Sequence, residues 1–184
     1  MVPIYKILLI GAGDVGKTTW LRRFITGEFR SVSKTDHEEI RILSLHTSSG
    51  LVRLEIWDRW DAERETQNSV NAKDDYYDNV DGIIGLFDVT KPQTFDSVMK
   101  QMDQVKQKCK PKFAISVGNK CDLLEKKKYM DAYPFADYFI SANTNRNYEL
   151  PFLHALKILR NDPSLKLVEA SPISAPEAKR GGKR

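Results

Sequence analysis

The chain switches repeatedly between two hydrophobic periods, and this pattern predicts alternating strands and helices. Segments of strand length, either continuously apolar or alternating apolar with polar residues, occupy residues 4–10, 38–47, 51–57, 82–88, 113–118 and 138–141. Apolar residues recur at three- and four-residue steps over 19–25, 95–109 and 148–160, the spacing of a helix with one buried face. The second and third strands are joined by a short turn ending at Gly50, which predicts a hairpin. We therefore predict an α/β fold, with a doubly wound, mostly parallel six-stranded sheet and helices on both faces.

Other segments lack such periodicity and are predicted to be surface structure. Residues 30–37 are polar and read as an exposed loop, and residues 59–78 are rich in charged and amide side chains, which predicts a long, mobile, partly helical segment. The run at 126–128 is three lysines and predicts a solvated face. Residues 171–184 contain two prolines and a basic end, so we expect one domain over 1–170 followed by a disordered tail.

Composition narrows the class of protein. The 41% hydrophobic and 29% charged content is that of one soluble globular domain. Residues 1–156 hold 22 basic and 22 acidic side chains, whereas residues 157–184 hold 7 and 3, so the excess positive charge lies at the end. A basic tail on a neutral body gives little support to nucleic-acid binding, and we expect no nucleic-acid partner. The sequence has no signal peptide, no spanning run and no lipidation motif, so we expect no membrane anchor.

The strongest motif follows the first strand. Residues 11–18 fit the phosphate-loop pattern Gly-x-x-x-x-Gly-Lys-Ser/Thr between a predicted strand and a predicted helix. A glycine-rich turn with a solvated lysine is the alternative, and the complete match in the required context argues against it. Such a loop turns backbone N–H groups toward phosphates, its lysine supplies a positive charge and its threonine a hydroxyl for Mg²⁺. The predicted nucleotide-binding residues here are Gly11, Gly13, Asp14, Val15, Gly16, Lys17, Thr18 and Thr19.

Two later strand ends carry complementary chemistry. Asp58 ends the third strand and could order Mg²⁺ together with Thr18. Asn119-Lys120-x-Asp122 follows the fifth strand, where the Asp122 carboxylate could accept hydrogen bonds from the N1 and N2 face of guanine. Lys120 could lie along the base, and Asn119 could tie this loop to the phosphate loop. The tetrapeptide alone is a common turn, but its combination with the phosphate loop favours a guanine nucleotide site.

Together these motifs resemble those of the Ras-like small GTPases, and within them most closely the Ran family of nuclear-transport GTPases. The Ran-type resemblance rests on residues 26–29, 45–47, 56–58, 87–90, 151–153 and 162–163. It implies GTP/GDP and Mg²⁺ as cofactors, Thr35 as a further metal ligand, and Ser141, Ala142 and Asn143 beside the base. The Ala142 N–H would meet the guanine O6.

The resemblance also carries expectations about partners. It implies transport receptors of the importin-β class, exchange and activating regulators, and a location in the nucleus and cytoplasm. The protein would act as a switch that binds a guanine nucleotide and changes partners with its nucleotide state.

The departures from the family pattern concern hydrolysis and the tail. Asp61 stands where the family has a glycine that meets the γ-phosphate, and Ala62 stands where it has the glutamine that orients water. We therefore expect weak hydrolysis, although Glu63, Glu65 or Gln67 could replace that glutamine. Asp14 replaces a glycine, Asn143 replaces the usual lysine, and the acidic end of the Ran family is basic here. A pseudo-GTPase scaffold that keeps its nucleotide is a second hypothesis, and a phosphate-loop kinase or ATPase is a third.

Overall fold

The computed structural model describes residues 1–26, 39–58 and 76–168. Within these residues six strands form one sheet in the order β2-β3-β1-β4-β5-β6. Of these six strands only β2 runs antiparallel to its neighbour, so the sheet is mixed but mostly parallel, as predicted. The strands are β1 (Ile4–Ile10), β2 (Glu39–Thr47), β3 (Gly50–Asp58), β4 (Val80–Asp88), β5 (Phe113–Asn119) and β6 (Tyr138–Phe139).

Four α-helices within the described residues connect or follow these strands. They are α1 (Lys17–Thr26), α2 (Pro92–Lys108), α3 (Lys126–Ala132) and α4 (Leu150–Arg160). Proline lies in the first turn of both α2 and α4, where its missing N–H costs nothing. Helix α4 ends at Asn161 in the left-handed conformation, a common helix stop. No helix in the described part of the chain is both long and apolar enough to cross a membrane.

Alternation along the central strands builds two cores. Ile7 and Leu9 of β1 face a core shared with Trp20 of α1 and Phe152 of α4. Leu8 and Ile10 face the opposite core, which also contains residues of α2 and α3. Because successive side chains of a strand point to opposite faces, a strand that is apolar at every position must be covered on both sides. The predicted doubly wound α/β fold is confirmed.

Several predicted boundaries were wrong. The sixth strand was predicted over 138–141, but its ladder covers only Tyr138–Phe139, because Ser141 turns back to bridge Arg146. The predicted helix over 148–160 begins at Leu150. The prediction that the lysine run 126–128 is a solvated face is confirmed, and the run also opens helix α3, which was not predicted.

Other predictions concern residues outside the described part of the chain. These are the metal ligand Thr35, the segment from Arg59 through Asp75 with Asp61, Ala62, Glu63, Glu65 and Gln67, and the tail from Glu169 onward.

The parallel order brings the carboxyl ends of four strands to one edge of the sheet. Ile10, Asp58, Asp88 and Asn119 are the last residues of β1, β3, β4 and β5. Ligands of open α/β sheets bind at this edge, so the fold places the predicted motifs where a ligand site is expected.

Candidate nucleotide-binding site

The phosphate loop joins β1 to α1 and depends on two glycines. Gly11 has a φ of 143° and Gly16 a φ of 99°, a region that other residues rarely adopt. A Cβ on Gly11 would overlap the carbonyl oxygen of Leu86, and a Cβ on Gly16 would clash with the Asn119 amide. The glycines thus allow both the turn and the close approach of neighbouring strands. Gly13 and Asp14 lie exposed at the tip of the loop.

Lys17 opens helix α1 and is only 6% exposed. Its Nζ donates to the carbonyl oxygens of Gly11 at 2.8 Å and Ala12 at 3.1 Å, so the side chain folds back over the loop. This places a positive charge beside the N-terminus of a helix, where the backbone N–H groups also favour an anion. The predicted contact of Lys17 with the terminal phosphates stays a prediction.

Thr18 and Asp58 meet across the edge of the sheet. The Thr18 hydroxyl donates to Asp58 Oδ2 at 2.9 Å, and Asp58 is buried. A hydroxyl and a carboxylate oxygen are hard ligands of the kind that Mg²⁺ prefers, so these residues fit the predicted ion, directly or through water. The third predicted ligand, Thr35, lies outside the described residues.

Asn119 connects the base loop to the phosphate loop. Its Nδ2 donates to the Val15 carbonyl at 3.0 Å, which confirms the expected tie between the two loops. Its Oδ1 accepts the N–H of Ala142 at 3.2 Å. The Ala142 N–H was expected to face the guanine O6, so base binding through that group would have to displace or share the Asn119 bond.

Asp122 lies just after β5, in a short 3₁₀ turn over Cys121–Leu123. One carboxylate oxygen, Oδ1, is buried and accepts no hydrogen bond from the described residues, whereas Oδ2 accepts from Asn143 Nδ2 at 3.3 Å. Burial raises the pKa of Asp122, but the polar side chains of Ser141 and Asn143 outweigh that effect, so the pKa lies below its usual value. A charged carboxylate at this strand end is the kind of acceptor that suits the two donors on the guanine edge.

The residues after β6 form a turn beside the loop that carries Asp122. Ser141 is fully buried, and its Oγ accepts the N–H of Thr144 at 3.0 Å. Together with the Ser141 bridge to Arg146, this bond fixes the turn that presents Ala142 and Asn143. Thr19, the last predicted residue of the phosphate loop, is half-buried in the first turn of α1.

One charged residue at this edge was missed by the sequence prediction. Asp88, at the end of β4, accepts a hydrogen bond from Lys120 Nζ at 2.6 Å and is 1% exposed. Burial raises the pKa of Asp88, but the hydrogen bonds from Lys120 and Thr90 lower it by more, so the pKa lies below its usual value. In the sequence, Asp88 stands out only as part of the segment 87–90. No spacing in the sequence links it to Lys120.

The fold and this edge define a phosphate-loop nucleotide-binding protein. A model of the Ras family matches residues 6–161, most of the chain. The chain therefore belongs to the Ras family, whose members are small GTP-binding switch proteins. Proteins of this family bind guanine nucleotides, generally with Mg²⁺, and are controlled by regulators.

Proposed function

We propose that this Ras-family protein binds GDP and GTP with Mg²⁺ and acts as a switch of the Ran type with weak intrinsic hydrolysis. The observation that carries the guanine assignment is the Asp122 carboxylate, which follows β5 on the loop that Asn119 ties to the phosphate loop and whose pKa lies below its usual value. Adenine presents an acceptor where guanine presents the N1 donor, so the carboxylate would face adenine without a partner. Leaving such a charge unpaired disfavours ATP.

Mg²⁺ is supported by the contact of the Thr18 hydroxyl with the Asp58 carboxylate. When bound, the ion would offset charge on the nucleotide phosphates, and Thr18 and Asp58 are the residues that would hold it. Thr35 is proposed as a third ligand on sequence grounds alone.

The Ran-type role rests on the sequence segments named above, such as residues 26–29 and 87–90. On this proposal the protein works in nucleocytoplasmic transport, is found in the nucleus and cytoplasm, and has receptors of the importin-β class as partners. These receptors would contact the segments around Thr35 and Arg64. Exchange and activating regulators would set its nucleotide state.

A pseudo-GTPase scaffold is the second candidate, and the residues at 61 and 62 favour it. Ala62 has no group with which to orient water, and Asp61 puts a carboxylate where the family has glycine. A protein that cannot hydrolyse GTP could still use nucleotide as a permanent structural ligand. The two candidates differ in exchange, because a switch must release its nucleotide and a scaffold need not.

The test combines calorimetry with an exchange assay. Purified protein is stripped of nucleotide and titrated with GDP, GTP and ATP, each with Mg²⁺ and with EDTA. We expect GDP and GTP to bind far more tightly than ATP and Mg²⁺ to strengthen both. ATP binding as tight as GDP binding would refute the guanine assignment. A fluorescent GDP analogue that is not released into excess unlabelled GDP, even with EDTA or a candidate exchange factor, would favour the scaffold.

A further inference from the structure

The charged pair of Asp88 and Lys120 joins three loops at the carboxyl edge of the sheet. Lys120 Nζ donates to Asp88 Oδ2 at 2.6 Å and to the carbonyl oxygen of Asp14 at 2.8 Å. Asp88 ends β4, Lys120 follows β5, and Asp14 belongs to the phosphate loop. One ammonium group therefore holds the base loop, the phosphate loop and the end of β4 together.

The Asp88 carboxylate is held in place by Thr90. Asp88 Oδ1 accepts the N–H of Thr90 at 2.9 Å and the Thr90 hydroxyl at 2.6 Å, so the orientation of the carboxylate is set before Lys120 reaches it. That leaves Oδ2 directed at the ammonium. A nearly fully buried carboxylate strongly requires a cation, because its own desolvation is otherwise uncompensated.

Lys120 in turn needs a restraint at its far end. Its backbone has a φ of 63°, and its side chain is 30% exposed, so the chain could otherwise swing into solvent. A lysine side chain that lies along a nucleotide base must give up several rotatable bonds, and a partner at the ammonium lowers the entropy lost on binding.

We propose that Asp88 is a positioning residue for the nucleotide, which acts by holding Lys120 over the base and against the phosphate loop. The inference rests on the proposed guanine nucleotide function. On this proposal Asp88 would not itself contact the nucleotide, because its carboxylate oxygens accept from Lys120 and Thr90. Its expected effect is on how long the nucleotide stays bound. When Asp88 holds Lys120, the base loop can open only if the Lys120 bonds break, and without Asp88 that loop opens more easily.

The chain offers a matched control at the opposite end of the same strand. Asp81 is the second residue of β4 and pairs with Lys112, which directly precedes β5, at 2.9 Å. This pair lies away from the phosphate loop. Asp88→Asn and Asp81→Asn therefore remove the same kind of charge from the two ends of β4, and only the first should affect the nucleotide.

The experiment follows release of a fluorescent GDP analogue from the Mg²⁺ complex by stopped flow. Asp88→Asn keeps an oxygen for Thr90 but removes the charge that holds Lys120, and we expect GDP release about tenfold faster than in the natural protein. Asp81→Asn should release GDP at the natural rate. Thr90→Val loosens the turn on the other side of Asp88 without removing the charge, and we expect it to change release less than twofold.

A second set of variants tests whether Asp88 acts through Lys120. In a Lys120→Met background, adding Asp88→Asn should leave the release rate unchanged, because the group it positions has gone. Equal effects of Asp88→Asn with and without Lys120 would overturn the proposal. So would a natural release rate in Asp88→Asn. Asp88→Ser, which is smaller and also neutral, gives the same comparison if the asparagine variant does not fold. A natural protein that binds no GDP would instead overturn the proposed function, and this inference with it.

Discussion

Base selectivity should depend on a single side chain, Asp122. Replacing it with asparagine exchanges a charged acceptor for an amide that presents a donor to guanine. We expect Asp122→Asn to weaken GDP and GTP by about 1.5 to 3 kcal/mol for each charge-assisted bond lost, and to admit xanthine nucleotides. Calorimetry with GDP and xanthosine diphosphate gives both affinities. Asn143→Ala is a useful comparison, because it removes the bond to Oδ2 but keeps the carboxylate. Unchanged GDP affinity in Asp122→Asn would contradict the role given to this residue.

Hydrolysis should be limited by two residues of the 59–75 segment. Phosphoryl transfer needs an oriented water and donors to the γ-phosphate oxygens, and Ras itself turns over at only about 10⁻⁴ per second with its glutamine present. Ala62 cannot orient water, and a carboxylate at 61 would repel the charge that builds on the phosphate. We expect single-turnover hydrolysis slower than that of Ras, and the largest gain in Asp61→Gly combined with Ala62→Gln.

Two results would contradict the prediction that residues 61 and 62 limit hydrolysis. One is a natural rate equal to that of ordinary family members. The other is a loss of rate in Gln67→Ala alone, which would assign the water-orienting role to Gln67. Ala62→Gln by itself separates the missing amide from the repulsion by Asp61, since it restores only the former.

Residues that lie close together in the sequence were the ones that sequence could identify. The phosphate loop and Asn119-Lys120-x-Asp122 are local patterns, because one turn of backbone delivers all their groups. The Asp88 contact with Lys120 joins residues 32 positions apart, and the Ala142 N–H finds its acceptor on Asn119 across two loops. Such contacts depend on how strand ends meet in space, and no spacing along the chain encodes them.

At the scale of elements, helices α1 and α4 are joined by an aromatic cluster. Phe152 stacks on Trp20 with ring centroids 4.5 Å apart and meets Phe24 edge-on at 4.7 Å. Trp20 is fully buried, and its indole N–H donates to the Tyr148 carbonyl at 2.9 Å. Since α1 starts at the phosphate loop, this cluster fixes the helix whose first turn carries Lys17 and Thr18.

Phe152→Ala should therefore lower the free energy of unfolding by about 3 to 5 kcal/mol, the range for removing a buried phenylalanine. Urea unfolding with saturating GDP and Mg²⁺ measures it, since bound ligand adds to stability and must be held constant. Phe135→Ala is the matched control. Phe135 is 83% exposed, so its removal should change the unfolding free energy by less than about 0.5 kcal/mol. Equal losses in the two variants would show that the cluster contributes little.

Element prediction failed where burial is local and slight. Helix α3 has seven residues and only one of them, Tyr129, is buried, so its sequence shows three lysines and no apolar stripe. The predicted end of strand β6 was wrong for the opposite reason. Ile140 is buried and its N–H still bonds the Gly118 carbonyl at 2.8 Å, but the chain turns back at Ser141. An apolar run shows that a segment is buried and leaves the end of its ladder undetermined.

At the scale of the whole molecule, charge is distributed unevenly along the chain. The body is neutral, and the last residues carry Lys179, Arg180, Lys183 and Arg184. If the protein is of the Ran type, regulators that bind an acidic carboxyl terminus would face a positively charged tail instead. Like charges in an interface reduce the rate of association and disfavour the complex.

We therefore expect a Ran-binding domain to bind the GTP-loaded protein weakly, and to bind it no less well when residues 178–184 are deleted. Changing the four basic tail residues to glutamate tests the same idea from the other side. That variant should bind the domain several-fold more tightly at low salt, and the gain should shrink as salt screens it. Surface plasmon resonance at two salt concentrations measures all three proteins. Loss of binding on deletion would mean that the basic tail itself contacts the domain, and would contradict the prediction that the tail disfavours the complex.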